Sequence, residues 1–303
     1  MSGSKCIYWH RVLVALLALC LLTACNSSGS EAGGGESAGS TLSIENKGSD
    51  TLVNVALAWA ESYIVERPEI LLSVTGGGSG TGIAAMINGT VDIANASRAM
   101  KQKEIDQAQA NGINPIEHVV ARDAIAVVIN PENPINELTI EQIASIYTGK
   151  VTNWKELGGE DRPIVVTSRE SNSGTYVYFL EEVVRVGSRD EEAFFSPDAL
   201  LLPSSEVISL EVARNPNAIG YDGLGYVTAE QKMVAITITP DGSQPAVLPS
   251  LDSVNAGTYP ISRPLYMYTP GEPTGAVKDY LEWILSSPGQ QIVEKLGFVP
   301  LSQ

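Results

Sequence analysis

Three short segments rich in serine, threonine and glycine constrain this chain most, because each lies between an extended segment and a helical pattern. The segments are GSDT (48–51), GSGTG (78–82) and NSGT (172–175). The first N–H groups of a helix have no partner within the helix and carry a partial positive charge. Glycine lets a ligand approach that backbone closely and hydroxyls add donors, so each segment is a candidate anion site. For any single segment, ordinary helix capping is the better explanation.

An arginine next to the third segment changes this balance. Arg169 ends the apolar run PIVVTSR and precedes Ser173 by four residues. Its guanidinium can bind an anion with two parallel hydrogen bonds. The alternative is a weak surface pair with the neighbouring Glu170. Three segments and one arginine together favour a single oxyanion site.

Short apolar runs alternate with helical periods along the chain, which indicates an α/β architecture. The expected strands include residues 71–74, 124–129 and 163–169. Thr139 and Gln142 predict a capping box for a helix that ends at Gly149. Two C-terminal helices are expected at about residues 275–285 and 288–296. No second linker follows the N-terminal region, so a division into domains has to pass through crossing strands.

Residues 1–24 have the layout of a secretory signal peptide. Lys5 and Arg11 precede an apolar run, residues 12–22, that is shorter than the roughly twenty residues needed to span a bilayer. The following LTAC resembles a bacterial lipobox, whose cysteine, here Cys25, is diacylated and becomes the first mature residue. The alternative is an ordinary signal peptide with a chance cysteine. We expect an exported, lipid-anchored protein that faces the periplasm or the cell exterior.

Residues 25–41 are expected to be the lipidated cysteine and a flexible, low-complexity tether. Cys6 and Cys20 are removed with the signal, so Cys25 is the only mature cysteine and an intrachain disulfide is impossible. Without Lys5 and Arg11, 17 basic residues face 35 acidic ones. This acidity argues against nucleic acid as a partner. It does not exclude a small anion, because salt screens exposed charges beyond about 8 Å.

Alternative chemistries find little support. GTGIAA (80–85) matches the loose dinucleotide fingerprint, but its glycine run begins early and Asp92 falls short of the expected spacing. No Gly-Lys-Ser/Thr follows the glycines, and Thr81 replaces the last glycine of a hydrolase elbow around Ser79. After the signal peptide His118 is the only histidine, which leaves no usual parts for nucleophilic, acid–base or metal catalysis. We expect no enzyme, no cofactor and no metal site.

Five stretches in this order resemble the periplasmic phosphate-binding proteins of ABC importers, the PstS family. They are KGSDTLVNVALAWAE (47–61), GGGSGTGIAAMINGTVDIANASR (76–98), LTIEQIASIYTGKVTNWKELGG (138–159), PIVVTSRESNSGTYVYF (163–179) and NPNAIGYDGLGYV (215–227). The resemblance implies a type II periplasmic-binding-protein fold, with two α/β domains joined by two crossing strands and the ligand in the cleft. Domain I would be residues 42–123 plus 266–303, and domain II residues 124–265.

The resemblance also implies which residues contact the ligand. The family contacts fall on Thr51, Leu52, Ser79, Arg169, Ser173, Gly174 and Thr175. The full candidate set adds residues from the same stretches: Ser49, Asp50, Gly80, Thr81 and Ser97. An oxyanion bound by this set would bridge the two domains.

One position departs from the family pattern. Many relatives have an aspartate after the Ala-Ser of the second stretch, where it accepts the proton of hydrogen phosphate, but here Arg98 follows Ser97. Such an acceptor distinguishes phosphate from sulfate, because a site built to pair a ligand OH rejects analogues without it. We predict Asp50 as the substitute acceptor, and a simple helix cap explains Asp50 about as well. Arg98 is either a second charge on the anion or the partner of an internal acid, and we favour the acid.

The sequence therefore predicts an extracytoplasmic solute-binding lipoprotein that captures inorganic phosphate and delivers it to an ABC permease and its ATPase. We expect it to be a monomer. The alternatives are a receptor for sulfate or another oxyanion, and a phosphate sensor without transport. A nucleotide-dependent or phosphoester-hydrolysing enzyme that uses Ser79 has only the loose fingerprint in its favour.

Overall fold

The computed structural model describes residues 42–239 and 243–301. The predicted signal peptide, the lipidation site at Cys25 and the tether lie outside the described residues and stay predictions.

The described residues contain eleven strands. They are β1 (Leu42–Gly48), β2 (Ile70–Thr75), β3 (Ile93–Ala96), β4 (Ile116–Ile129), β5 (Glu137–Thr139), β6 (Val165–Arg169), β7 (Leu200–Leu202), β8 (Ala218–Gly223), β9 (Lys232–Met233), β10 (Ala235–Thr237) and β11 (Ser262–Thr269).

Ten α-helices are present in the same residues. They are α1 (Asp50–Glu66), α2 (Ser79–Ile87), α3 (Gln102–Ala110), α4 (Ile140–Tyr147), α5 (Gly174–Phe179), α6 (Val186–Ser188), α7 (Ser205–Arg214), α8 (Leu251–Asn255), α9 (Gly275–Leu285) and α10 (Ser287–Lys295). Short 3₁₀ helices occupy Trp154–Leu157 and Leu224–Tyr226, and a π-helix, Leu180–Arg185, joins α5 to α6.

A single nine-stranded sheet contains every strand except β5 and β10, which pair with each other. Its order is β2-β1-β3-β11-β4-β8-β6-β7, with β9 beside β4. β1 is parallel to β2 and β3, and β6 is parallel to β7 and β8. Within each of these two groups the parallel strands end at a common edge, and the loops beyond such an edge are where α/β proteins bind ligands. The segments that follow β1, β2 and β6 are the three serine-, threonine- and glycine-rich segments.

Two long strands connect the halves of this sheet. β4 pairs with β11 through its residues 116–124 and with β8 through residues 125–129. β11 is antiparallel to both β3 and β4. The two crossing strands that the resemblance implies correspond to β4 and β11.

The buried apolar residues cluster on either side of the crossing. The largest cluster draws mainly on residues 124–261 and includes Trp154 and Tyr221. A second draws mainly on residues 44–121 and 265–298 and includes Trp59. Each half of the sheet therefore has its own core, which gives the strand ends between them fixed positions.

The predicted elements are confirmed in most details. The expected strands 71–74 and 124–129 lie within β2 and β4, β6 covers the expected strand 163–169 except its first two residues, and α9 and α10 occupy the two expected C-terminal positions. Thr139 Oγ1 accepts a hydrogen bond from Gln142 N at 3.1 Å, and Gln142 Oε1 accepts one from Thr139 N at 2.9 Å. The helix after Ser173 differs from a plain α-helix, since it continues as the π-helix.

Within the described residues, no helix is both long enough and apolar enough to cross a bilayer.

Candidate functional site

Each of the three segments begins a helix, as predicted. α1 starts after Ser49, α2 after Gly78 and α5 after Ser173. Ser173 Oγ caps its own helix, because it accepts hydrogen bonds from the amides of Thr175 and Tyr176. Ser49 does not cap α1, and its Oγ is buried without a hydrogen-bond partner. A buried hydroxyl without a partner is costly, so a ligand that bonds to it would remove that cost.

The tertiary structure brings the three segments together. Thr51 Oγ1, in the first segment, lies 2.8 Å from Thr175 Oγ1 in the third. Ser79 Oγ lies 3.2 Å from Ser97 Oγ and accepts a hydrogen bond from Ser97 N. A methyl group on Gly174 would lie 2.3 Å from Ser79 Oγ and 2.5 Å from Ser97 Oγ, so only glycine fits there. Four hydroxyls from separate parts of the chain therefore converge at one buried place.

Arg169 contacts the first segment through an ion pair with Asp50, the residue before Thr51. Its Nη2 lies 2.6 Å from Asp50 Oδ2, and the side chain is 1% exposed. The guanidinium also donates to the Pro203 carbonyl and to Ser205 Oγ. The alternative, a surface pair with Glu170, is wrong because the side chain is buried against Asp50 instead.

Asp50 does not cap its helix either. Its Oδ1 accepts a hydrogen bond from Gly77 N at 2.8 Å, and its Oδ2 binds Arg169. A carboxylate offers about four lone-pair positions, of which these bonds occupy two. The Asp50 carboxylate can therefore still accept a hydrogen bond from a hydroxyl of the ligand.

The donors of three other candidates are used by the protein itself. Thr81 Oγ1 donates to the Gly77 carbonyl at 2.6 Å, and Leu52 N donates to the Ser49 carbonyl at 3.1 Å. Gly80 N donates to the Asn172 carbonyl at 3.0 Å. The structure does not bring these three donors to the hydroxyl cluster.

The glycine-rich run has a second role that sequence reasoning missed. Asn172, in the third segment, packs on it, and its Nδ2 donates to the Gly77 carbonyl at 3.0 Å. A methyl group on Gly78 would lie 2.8 Å from the Asn172 carbonyl oxygen, and Gly78 also has a φ of +89° that disfavours other residues. These glycines allow the backbone of Asn172 to pack closely against them, whereas the sequence suggested close approach only by a ligand.

Arg98 is paired with an internal acid, as favoured from the sequence. Its Nη1 and Nη2 donate to the two carboxylate oxygens of Glu104 at 2.8 and 2.7 Å. Burial opposes ionisation of Glu104, but the bonds from Arg98 and from the Lys101 amide hold the pKa of Glu104 below its usual value. Arg98 is therefore not a charge directed at the hydroxyl cluster.

Two buried charges beside the cluster were not predicted as site residues. Arg263 Nη2 lies 3.1 Å from Asp123 Oδ2, and both side chains are almost fully buried. Burial raises the pKa of Asp123, and the charge of Arg263 opposes that rise. The sequence signal was available, since Asp123 directly precedes the apolar run 124–129 of β4 and Arg263 lies near the start of β11. A charge inside a buried strand requires a partner.

Another buried acid, Asp222, lies near Arg169. Burial raises the pKa of Asp222 to about 7, although a hydrogen bond from Ser205 and the charge of Arg169 oppose the rise. Because the folded pKa lies above the ordinary value of 3.8, folding favours the protonated carboxyl. The contribution of Asp222 to the unfolding free energy should therefore fall as pH rises from about 4 to about 7 and then level off.

Replacing Asp222 with asparagine tests this expectation. The variant should match the unmutated protein at pH 4 and exceed its unfolding free energy at pH 8 by on the order of 1–4 kcal/mol. Denaturant unfolding across this pH range is the measurement, with the exposed Asp198→Asn as control. Equal pH slopes for the Asp222 variant and the unmutated protein would contradict it.

Among the described residues, no group of three or more His, Cys, Asp or Glu side chains is arranged to hold a metal. His118 Nε2 lies 3.0 Å from Thr269 Oγ1, outside the candidate set.

The family model of the PBP superfamily domain matches residues 32–288. The phosphate-binding protein PstS of Pseudomonas aeruginosa PAO1 is 34% identical over 88% of this chain and 85% of its own length. That of Bacillus subtilis 168 is 33% identical over 96% of this chain and 94% of its own. The chain belongs to the PstS family of the PBP superfamily. Its fold is the two-domain fold of those proteins, as predicted.

Solved structures of this family align with most of the chain. One is a Clostridium perfringens protein, described as a substrate-binding protein of a phosphate ABC transporter and solved with bound phosphate. It is 34% identical, with a TM-score of 0.76, and the alignment covers 86% of this chain and 100% of that one. An ABC-type phosphate transport receptor from Vibrio cholerae is 28% identical, with a TM-score of 0.68 and coverages of 86% and 100%.

Proposed function

We propose that this chain is an extracytoplasmic solute-binding protein that captures inorganic phosphate between two domains and delivers it to an ABC permease and its ATPase. The observation that carries the proposal is the convergence of the Thr51, Ser79, Ser97 and Thr175 hydroxyls, together with the buried Arg169 that pairs with Asp50, the neighbour of Thr51 in the chain. Hydroxyl donors and a guanidinium are the groups that bind a tetrahedral oxyanion. The PstS relatives are named as phosphate-binding proteins, which supports the same ligand.

The domains of this proposal are residues 42–123 plus 266–303 and residues 124–265. Thr51, Ser79 and Ser97 then belong to the first domain, and Arg169, Ser173 and Thr175 to the second. The bonds between Thr51 and Thr175 and between Arg169 and Asp50 would hold the domains closed. A phosphate bound to both sides would strengthen closure, which is the change that a permease could detect.

The amino terminus completes the proposal. A diacylated Cys25 would anchor the protein to the membrane, and residues 26–41 would give the binding domains reach toward the permease. Mass spectrometry of the membrane-extracted protein should find the diacylglycerol on Cys25. A protein cleaved after an ordinary signal site would lack that mass.

Calorimetric titration of the mature protein tests the function. We expect one phosphate per chain, and a thermal midpoint that rises with phosphate concentration because only a ligand of the folded state stabilises by mass action. Titrations with sulfate and other oxyanions under the same conditions serve as controls. Preference for sulfate would favour the alternative receptor, and no heat or stabilisation with phosphate would contradict the proposal.

Transport and sensing share this binding step, so a second measurement separates them. Phosphate uptake by cells that lack the protein should fall if it serves a permease. Normal uptake with an altered phosphate response would favour a sensor. Turnover of a chromogenic phosphate ester would revive the enzyme alternative, although the named relatives are binding proteins.

A further inference from the structure

The two strands that connect the halves of the sheet carry a buried ion pair between them. Arg263 of β11 stands opposite Asp123 of β4 in the strand register. Arg263 is 2% exposed and Asp123 is fully buried. An ion pair removed from water this completely requires further hydrogen bonds to offset its desolvation. The partners that supply those bonds are therefore informative.

The partners of Arg263 are candidate ligand residues of both domains. Its Nη2 donates to Thr175 Oγ1 at 2.9 Å and approaches Thr51 Oγ1 at 3.5 Å. Its Nη1 donates to the Ser97 carbonyl at 2.7 Å. One guanidinium thus contacts residues of the first and third segments and the residue that bonds to Ser79. The cation also lies 5.4 Å from the centre of the Tyr178 ring, which holds it from the other side.

The contacts of Arg263 determine whether the Thr51 and Thr175 hydroxyls donate or accept hydrogen bonds. A hydroxyl has one proton and two acceptor positions, whereas a guanidinium only donates. Arg263 therefore occupies an acceptor position on Thr175 Oγ1 and lies close to one on Thr51 Oγ1. The hydroxyl protons are then directed away from Arg263, and both are available to an acceptor placed between the threonines. An oxyanion oxygen is such an acceptor, and it would replace the bond between the two hydroxyls.

We propose that Arg263 is a positioning residue that sets the Thr51 and Thr175 hydroxyls as donors to the bound oxyanion. Asp123 fixes the guanidinium in the plane that reaches both threonines. Because Thr51 and Thr175 belong to different proposed domains, Arg263 can contact both hydroxyls only when the domains are closed. This inference rests on the proposed function, since it assigns a role within the same phosphate site.

Removing Arg263 alone leaves Asp123 buried without its partner, so the test uses a variant that removes both charges. The mature protein carrying Arg263→Gln and Asp123→Asn should remain folded by circular dichroism. Its phosphate affinity should be about 100-fold lower, as expected for the loss of oriented donors to an anion. Arg263→Lys keeps the positive charge but replaces the two terminal guanidinium nitrogens with one ammonium group. This variant should lower phosphate affinity by about 10-fold.

A double-mutant cycle shows whether Arg263 acts through the threonines. In a Thr51→Val, Thr175→Val background, the same Arg263→Gln, Asp123→Asn change should alter phosphate affinity by less than about threefold, because no hydroxyl remains to be oriented. Arg98→Gln with Glu104→Gln removes another buried arginine–carboxylate pair outside the site. That control should bind phosphate within about twofold of the unmutated protein.

The outcomes separate this inference from the function on which it rests. If the unmutated protein binds phosphate and the Arg263→Gln, Asp123→Asn variant binds it equally well, the inference alone is overturned. Equal losses with and without the threonine hydroxyls would show a general charge effect, which also overturns it. No phosphate binding by the unmutated protein would overturn both.

Discussion

Replacing Arg169 with alanine is expected to weaken phosphate binding by about 2–5 kcal/mol, which is roughly 30-fold to several thousand-fold in affinity. The side chain is 1% exposed, so its charge acts at low dielectric and is little screened by salt. Its loss would also leave Asp50 and Asp222 without their nearby cation. A phosphate anion would then approach Asp50 and Asp222 without the positive charge of Arg169 beside them.

Calorimetry with phosphate measures the effect of the Arg169 substitution. Arg162→Ala is a suitable control, because Arg162 lies seven residues earlier and pairs with Glu160 in an exposed position. Circular dichroism must show that the Arg169 variant is folded, since breaking a buried ion pair costs about 3–5 kcal/mol of stability. A folded variant with unchanged affinity would remove Arg169 from the site.

Replacing Asp50 with asparagine is expected to change which anion the protein prefers. The carboxylate is the predicted acceptor for the proton of hydrogen phosphate, and the asparagine amide brings donors where an acceptor is needed. Discrimination based on pairing a ligand hydroxyl reaches about 10⁴-fold in sites built for it. The ratio of phosphate to sulfate affinity should therefore fall by up to about 10⁴-fold, mainly through loss of phosphate binding.

Paired titrations with phosphate and sulfate at pH 8, where hydrogen phosphate predominates, measure this ratio. Asp252→Asn is the matched control, because Asp252 also lies in the first turn of a helix, α8. Its ratio should equal that of the unmutated protein. An Asp50→Asn variant that keeps the original preference would show that Asp50 only holds Arg169 and Gly77, and that another group accepts the proton.

The alternation of strands and helices, the three helix starts and the capping box at Thr139 were all predictable from the sequence. These features depend on neighbours within a few residues, because helix period, strand period and capping are local. An internal acid was also the favoured partner of Arg98, although the sequence did not indicate which acid. Its partner, Glu104, is six residues away in the first turn of α3. The family pattern extended these local signals to the whole fold.

The sequence could not predict what the charged side chains meet. Arg169 and Asp50 are 119 residues apart, and Arg263 and Asp123 are 140 apart. Their contacts depend on the order of strands in the sheet, which no local pattern specifies. The same holds for Asn172 against the glycine-rich run. Sequence reasoning correctly predicted that Gly78 lets something approach closely, but only the folded sheet determined that this is another backbone.

The sequence by itself thus determined the parts of the site, because each part is a strand end, a turn and a helix start encoded within a few residues. The tertiary structure decided which charged side chains of those parts pair with one another. Burial forces every charge to find a partner, and the available partner depends on which strand ends the fold places side by side.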